Sequence, residues 1–142
     1  MGLKLVLHNT PLEIRANEIH SVNNVGARKG KTVIATALAT TSAGERVTLV
    51  GSSEGGLRPE QNKMLRPNEI PVKGNSHAEI NILNHAQANG MTVNKIAAAG
   101  SGICENCAPA IVGSGAVIYS PIRPATQDKT YVKPPVQLKL NF

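Results

Sequence analysis

Two short runs rich in β-branched residues, separated by a turn sequence, constrain the fold of this chain more than any other feature. They occupy residues 32–40 and 46–51 within KTVIATALATTSAGERVTLVGSS. The intervening TSAGE has the composition of a hairpin turn. These residues therefore predict a β-hairpin, and with it a sheet, before any other element is considered.

The second half of the chain predicts helices that alternate with strands. SHAEINILNHAQANG (76–90) starts at Ser76, a favourable N-cap, and ends at a glycine, so it predicts a helix. TVNKIAAAG (92–100) and AVIYSPI (116–122) predict strands. GICENCAPAIVGSG between them predicts a helix that is either kinked or begins late, because Pro109 removes a backbone donor. A strand–helix–strand unit requires a sheet with helices packed on it.

The remaining segments are less regular. PLEIRANEIHSVNNVG (11–26) predicts a helix that ends near a glycine. Residues 54–75 show no steady period and predict a long loop with one helical turn at most. LKLVLHN (3–9) and VQLKLNF (136–142) are strand candidates, the former alternatively an ordered leader. At this length we expect residues 1–142 to form a single domain, with an aliphatic core because aromatic residues make up only 2% of the chain.

The composition has an excess of positive charge. The net charge of +6 and the pI near 9.6 favour a polyanionic partner such as nucleic acid. Four basic residues lie on the long loop, and RKGK (28–31) adds a cluster: the four are Arg58, Lys63, Arg66 and Lys73. No apolar run approaches the roughly 20 residues of a membrane span, so a soluble chain without a membrane partner is expected.

The two cysteines, spaced C-x-x-C, point to a metal site when they are considered together with one histidine. Zn²⁺ prefers nitrogen and sulfur ligands in a tetrahedron, and catalytic sites use three of them and leave one position for water. His77, Cys104 and Cys107 are such a set. Thiolates at a helix start are favoured by the helix dipole. Glu79, two residues after His77, could move protons next to such an ion.

Each of these residues also has an ordinary structural interpretation. Ser76-x-x-Glu79 matches a capping box, in which the carboxylate only binds the amide of the N-cap residue. His77 alone could be an exposed or packed histidine, and Cys104 and Cys107 could be a redox pair or two core thiols. The sequence alone leaves these alternatives open.

HAE at 77–79 together with CENC at 104–107 resembles the zinc-dependent nucleobase deaminase superfamily, over about residues 30–120. The resemblance implies an α/β fold, the cytidine-deaminase-like three-layer sandwich, with a mixed central sheet of about five strands flanked by helices. It implies that His77, Cys104 and Cys107 bind Zn²⁺ and that Glu79 transfers protons. Tyr119, at the end of the strand after the cysteines, would contact the target base; the alternative is a half-buried strand residue.

A closer resemblance concerns the subfamily. Ile103 stands where the superfamily usually has proline, and SGICENCAPAI is similar to deaminase domains of bacterial polymorphic toxins. That likeness implies the C-terminal domain of a larger secreted effector, which acts in the cytoplasm of a target cell and has a cognate immunity protein. The expected reaction is conversion of cytosine to uracil in nucleic acid, with single-stranded DNA favoured. RNA or free-nucleoside deamination, a non-catalytic zinc-stabilised nucleic-acid-binding module and a dithiol redox protein are the alternatives.

Overall fold

The computed structural model describes residues 10–22, 32–100, 103–104, 107–120 and 122–123. The strand candidates at both ends of the chain and the RKGK cluster lie outside the described residues. In chain order the elements are α1 (Pro11–Val22), β1 (Val33–Thr40), β2 (Arg46–Ser52), α2 (Pro59–Lys63), β3 (Glu69–Pro71), α3 (Ala78–Ala88), β4 (Thr92–Gly100), β5 (Ile103–Cys104), α4 (Ala108–Gly113), β6 (Val117–Ile118) and β7 (Ile122–Arg123).

Five of the strands form one mixed sheet in the order β3-β2-β1-β4-β6. The predicted hairpin is confirmed as the antiparallel pair of β1 and β2, and β4 adds antiparallel to the other side of β1. The outer strands β3 and β6 pair parallel to β2 and β4. In the described part of the chain, β5 and β7 make a separate two-stranded parallel pair.

Helices cover both faces of the sheet. Residues on alternate positions of β1 point to opposite faces, so Ala35, Ala37 and Ala39 pack with α3 and α4, whereas Ile34 packs with α1. Because the side chain of alanine is small, the helices can approach the sheet closely. The predicted fold class is confirmed: an α/β three-layer sandwich with a five-stranded mixed sheet, consistent with the cytidine-deaminase-like arrangement. The core on both faces is aliphatic, as the composition predicts.

The structure corrects one predicted segment and decides between two predicted alternatives for another. The segment 54–75 was predicted to be a loop, but it also contributes β3, which lies at an edge of the sheet. Three residues are too few for a detectable alternation, and Pro71 is tolerated there because an edge strand leaves one side unpaired. The cysteine-containing helix begins late, as one of the two alternatives predicted: α4 starts at Ala108, which places Pro109 in the first turn.

One buried ion pair links α1 to the edge of the sheet. Arg15 binds both carboxylate oxygens of Glu69 at 2.8 Å through Nε and Nη2, and Nη2 also donates to the carbonyl of Met64 at 2.7 Å. The amide of Arg66 donates to Glu69 Oε1 at 2.8 Å. The hydrogen bond from Arg15 is the main reason why the pKa of Glu69 lies below its usual value. The ion pair therefore attaches α1, which covers one face of the sheet, to the edge strand β3.

We expect Glu69→Gln to lower the free energy of unfolding by about 2–3 kcal/mol at neutral pH, because hydrogen bonds to a charged group are lost in a buried position. Since the pKa of Glu69 is depressed in the folded state, its contribution is present above the unfolded value of about 4.3 and disappears as pH falls through the folded value. Urea unfolding at pH 7 and pH 3 measures both effects. The variant should therefore lose less stability than wild type on acidification. Glu45→Gln, in the exposed hairpin turn, is the control.

Candidate metal centre

The start of α3 is held close to the end of β2. Gly51 lies where a Cβ atom would come within 2.8 Å of the carbonyl oxygen of Ala78, the first residue of α3. A side chain at this position would push the helix away from the sheet. The absence of a side chain at Gly51 therefore fixes how near the first turn of α3 lies to the sheet, and this turn carries the predicted site.

His77 and Glu79 lie on this first turn with opposite exposure. His77 is the N-cap residue, with extended backbone (φ −62°, ψ 155°), and its side chain is exposed and makes no capping hydrogen bond. The Glu79 side chain, two residues later, is almost completely buried at 1% exposure. The first turn of α3 thus carries an imidazole that makes no capping hydrogen bond and, two residues later, a buried carboxylate.

Cys107 brings a sulfur atom to the same place from the next helix. It is the N-cap residue of α4, it is buried at 3% exposure, and it belongs to the core cluster between the sheet and α3. The positive end of a helix dipole favours the thiolate form of a cysteine. Two helices that contact each other, α3 and α4, therefore present their N-terminal ends to one point.

His77, Glu79 and Cys107 form a group that can hold a metal ion. One ligand atom from each of the three side chains lies within 4.8 Å of the other two. An imidazole nitrogen, a thiolate sulfur and a carboxylate oxygen are ligand types that Zn²⁺ uses, and the three atoms are close enough together to hold a single metal ion. The structure thus brings together two of the three predicted metal ligands and the predicted catalytic carboxylate.

Cys104 is the third predicted ligand, and its placement corrects the predicted secondary structure. The residue lies in β5 and not at a helix start, so the two cysteines do not share the first turn of α4. Two residues stand between Cys104 and Cys107 in the chain, and the side chain of Cys104 is not among those that the structure describes. Its role as a zinc ligand therefore stays a prediction.

The capping-box alternative for Glu79 is wrong. Ser76 is not the N-cap, and its amide donates to Oδ1 of Asn81 at 2.9 Å instead of to the carboxylate of Glu79. Asn81 takes the position that the capping box assigns to Glu79. The first turn of α3 thus uses an asparagine to bind the preceding backbone, which leaves Glu79 directed towards His77 and Cys107.

Tyr119 is not brought to this group. Ile118 packs in the core on the side of α3 and α4, so the next side chain along the strand points to the other face. There Tyr119 lines a cavity of about 250 Å³ together with Leu12 and Leu38, and the Nζ atom of Lys95 lies 5.1 Å from its ring centroid. These contacts are those of a half-buried residue at a strand end. Contact with a base stays a prediction that this placement does not support.

The basic residues predicted to bind a nucleic-acid backbone divide into two kinds. Lys63 and Lys73 are exposed. Arg58 instead binds Glu54 through two hydrogen bonds of 3.1 and 2.7 Å, a contact that raises its pKa. The guanidinium of Arg66 lies 3.9 Å from Glu18 and is 62% exposed. The two lysines and Arg66 therefore remain the candidates for phosphate contacts on this segment.

Comparisons with known proteins complete the description of the chain. The sequence matches no protein-family model, and no curated protein matches it at a significant level. Among the described helices, none combines the length and the apolar character needed to cross a bilayer.

Proposed function

We propose that this chain is a zinc-dependent deaminase that converts cytosine to uracil in nucleic acid, with single-stranded DNA as the favoured substrate. The observation that carries the proposal is the meeting of His77, Glu79 and Cys107 at two helix N-termini. Cys104, three residues before Cys107, is proposed as the third metal ligand. Supporting observations are the H-x-E and C-x-x-C spacing and the net charge of +6.

When bound, zinc would supply the nucleophile by lowering the pKa of a water molecule to about 7. Glu79 would take a proton from this water and deliver it to ring nitrogen N3 of cytosine. A second proton, carried by the same carboxylate to the exocyclic nitrogen, would let ammonia leave. One C–O bond forms at C4 and the C4–N4 bond breaks, so water and cytosine become uracil and ammonia. Burial of Glu79 keeps its proton from exchanging freely with bulk water.

The resemblance to toxin domains extends this proposal. A secreted effector that edits nucleic acid in the cytoplasm of a target cell needs a cognate immunity protein, and we propose that this chain is the catalytic domain of such an effector. Exposed Lys63, Lys73 and Arg66 would contact the phosphates of the substrate. RNA and free cytidine are the alternative substrates.

The same geometry supports a second candidate, a zinc-stabilised nucleic-acid-binding module without catalysis. A carboxylate oxygen of Glu79 lies within 4.8 Å of a ring nitrogen of His77 and of the sulfur of Cys107, which is close enough for all three atoms to bind one metal ion. With Cys104 added, the four ligands would fill a tetrahedron and leave no position for water. The two candidates thus differ in whether Glu79 is a ligand or a proton carrier.

A substrate comparison tests the proposed activity directly. The purified chain, loaded with zinc, is offered single-stranded DNA, double-stranded DNA, RNA and free cytidine, and mass spectrometry measures conversion of cytosine to uracil and of adenine to inosine. We expect uracil in single-stranded DNA at the highest rate, because a base in a duplex must first be unstacked at a cost of a few kcal/mol. Conversion in none of the four would reject the enzyme and leave the binding module.

A further inference from the structure

Asn81 makes a set of contacts that the proposed chemistry does not use. Its side chain is buried on α3 at 2% exposure. Oδ1 accepts a hydrogen bond from the amide of Ser76 at 2.9 Å, and Nδ2 donates to the carbonyl oxygens of Ser76 at 3.0 Å and Ser52 at 3.2 Å. One side-chain amide thus satisfies one backbone donor and two backbone acceptors.

These contacts fix the backbone of Ser76, the residue before the N-cap residue His77. Ser76 is held at both its amide and its carbonyl group, and the backbone amide of Asn81 itself donates to the carbonyl oxygen of His77 at 2.9 Å. Ser52 is the last residue of β2, so the same side chain connects this backbone to the sheet. The peptide that enters His77 is therefore fixed relative to the sheet on one side and to α3 on the other.

Gly74 confines the amide of Asn81. A Cβ atom at Gly74 would come within 2.2 Å of Oδ1 and 2.5 Å of Cγ of Asn81, which is too close for atoms that are not bonded to each other. The backbone at Gly74 therefore packs directly on the asparagine amide. The amide orientation is also determined, because only an oxygen facing Ser76 accepts its N–H and only a nitrogen donates to the two carbonyls.

We propose that Asn81 is a positioning residue that directs the imidazole of His77 towards Glu79 and Cys107. His77 is exposed, and its side chain makes no capping bond. Its direction therefore depends on the backbone that Asn81 holds. The inference rests on the metal centre of the proposed function, and it adds a residue that neither binds the metal nor touches the substrate.

Asn81→Asp is the decisive variant because it keeps the shape and the acceptor but loses both donors. It also places a carboxylate against two carbonyl oxygens. The added negative charge near a cation site would by itself strengthen zinc binding, so weaker binding reports the lost contacts. Asn84→Asp, an exposed asparagine three residues later on the same helix, carries the same charge change and is the matched control.

Zinc affinity is measured by competition with a chromophoric chelator, and the ligand field by the absorption spectrum of the Co²⁺-loaded protein. We expect Asn81→Asp to bind zinc about 10-fold more weakly, the lower range for outer partners of metal ligands, and to change the Co²⁺ d–d bands. Asn84→Asp should match wild type in both. Equal affinity and equal spectra for Asn81→Asp and wild type would overturn the proposal.

Gly74→Ala reaches the same contact independently, since the new methyl group displaces the amide of Asn81. We expect the same weaker binding and altered spectrum, with a cooperative urea transition retained. Loss of that transition in both variants would mean that the contacts stabilise the whole fold, and the positioning role would be rejected. A wild-type chain that binds zinc without converting cytosine would refute the deaminase alone, since zinc affinity still decides the role of Asn81. A wild-type chain that binds no zinc would refute both.

Discussion

Glu79→Gln is expected to lower the rate of cytosine deamination by about 10²–10⁴-fold, the contribution of a positioned proton carrier, while the chain still binds about one zinc ion. Glutamine has the size of glutamate, so the packing of this buried position is retained. It has no carboxylate to accept a proton from water. The measurements are the initial rate of uracil formation in single-stranded DNA and the zinc content by elemental analysis.

The zinc content of this variant separates the two candidate functions. If Glu79 is a metal ligand in a binding module, the substitution by glutamine should weaken zinc binding. Any loss of nucleic-acid binding should then follow from the loss of zinc. If Glu79 carries protons, the ion stays and only turnover falls. Glu45→Gln is the matched control, because it makes the same change of charge in the hairpin turn beyond the opposite end of β1. Retained zinc with undiminished turnover would contradict the assigned role.

The local elements of the fold could be predicted because each has its own signal. The β-branched runs on both sides of TSAGE give β1 and β2, and the terminal glycine gives the end of α3. β3 could not be predicted, because three residues at an edge acquire strand geometry only by pairing with β2. The helix start at Ala108 depends on the same kind of tertiary context, although Pro109 does favour a late start.

The site was predictable where its parts are close in sequence. His77 and Glu79 are only two residues apart, which keeps them near each other. Their side chains converge because His77 has extended backbone just before the helix, since residues i and i+2 within a helix do not face each other. That Cys107 joins them depends on the contact between α3 and α4, which the spacing indicates only through the resemblance. Asn81 was missed because an asparagine in a helix interior matches no motif. A glycine at position 74 was the one available signal, since it marks a close approach of the backbone.

The face occupied by Tyr119 follows from the face occupied by Ile118. Strand β6 consists of two apolar residues, Val117 and Ile118, and the structure places Ile118 in the core cluster, so the next side chain along the chain points the other way. The resemblance placed Tyr119 near the base because it compares positions along the chain and not directions of side chains. Alternation along a strand is therefore a useful check on residue roles carried over from a family.

His77→Ala is expected to weaken zinc binding by more than about 100-fold, beyond the loss found for outer partners of metal ligands. The exposed imidazole makes no capping bond, so its removal should leave the fold intact. Wild type held at a free zinc concentration 100 times its dissociation constant gains about 2.7 kcal/mol of unfolding free energy, which a chelator removes. For a chain of this size we expect a shift of about 8 °C in the melting temperature. His77→Ala should show no such shift.

Cys107→Ser should also lose the chelator-sensitive shift in melting temperature. The results for the two variants together are stronger evidence for a shared ion than either result alone. His77 precedes α3 and Cys107 precedes α4, so one ion can depend on both only if it joins the two helix N-termini. His85→Ala, later on α3, removes an imidazole from the same helix and should keep the full shift. A shift that persists in His77→Ala but disappears in Cys107→Ser would place the ion on the cysteines without the histidine. The position that Glu79 needs for proton transfer would then be lost, and the proposed reaction with it.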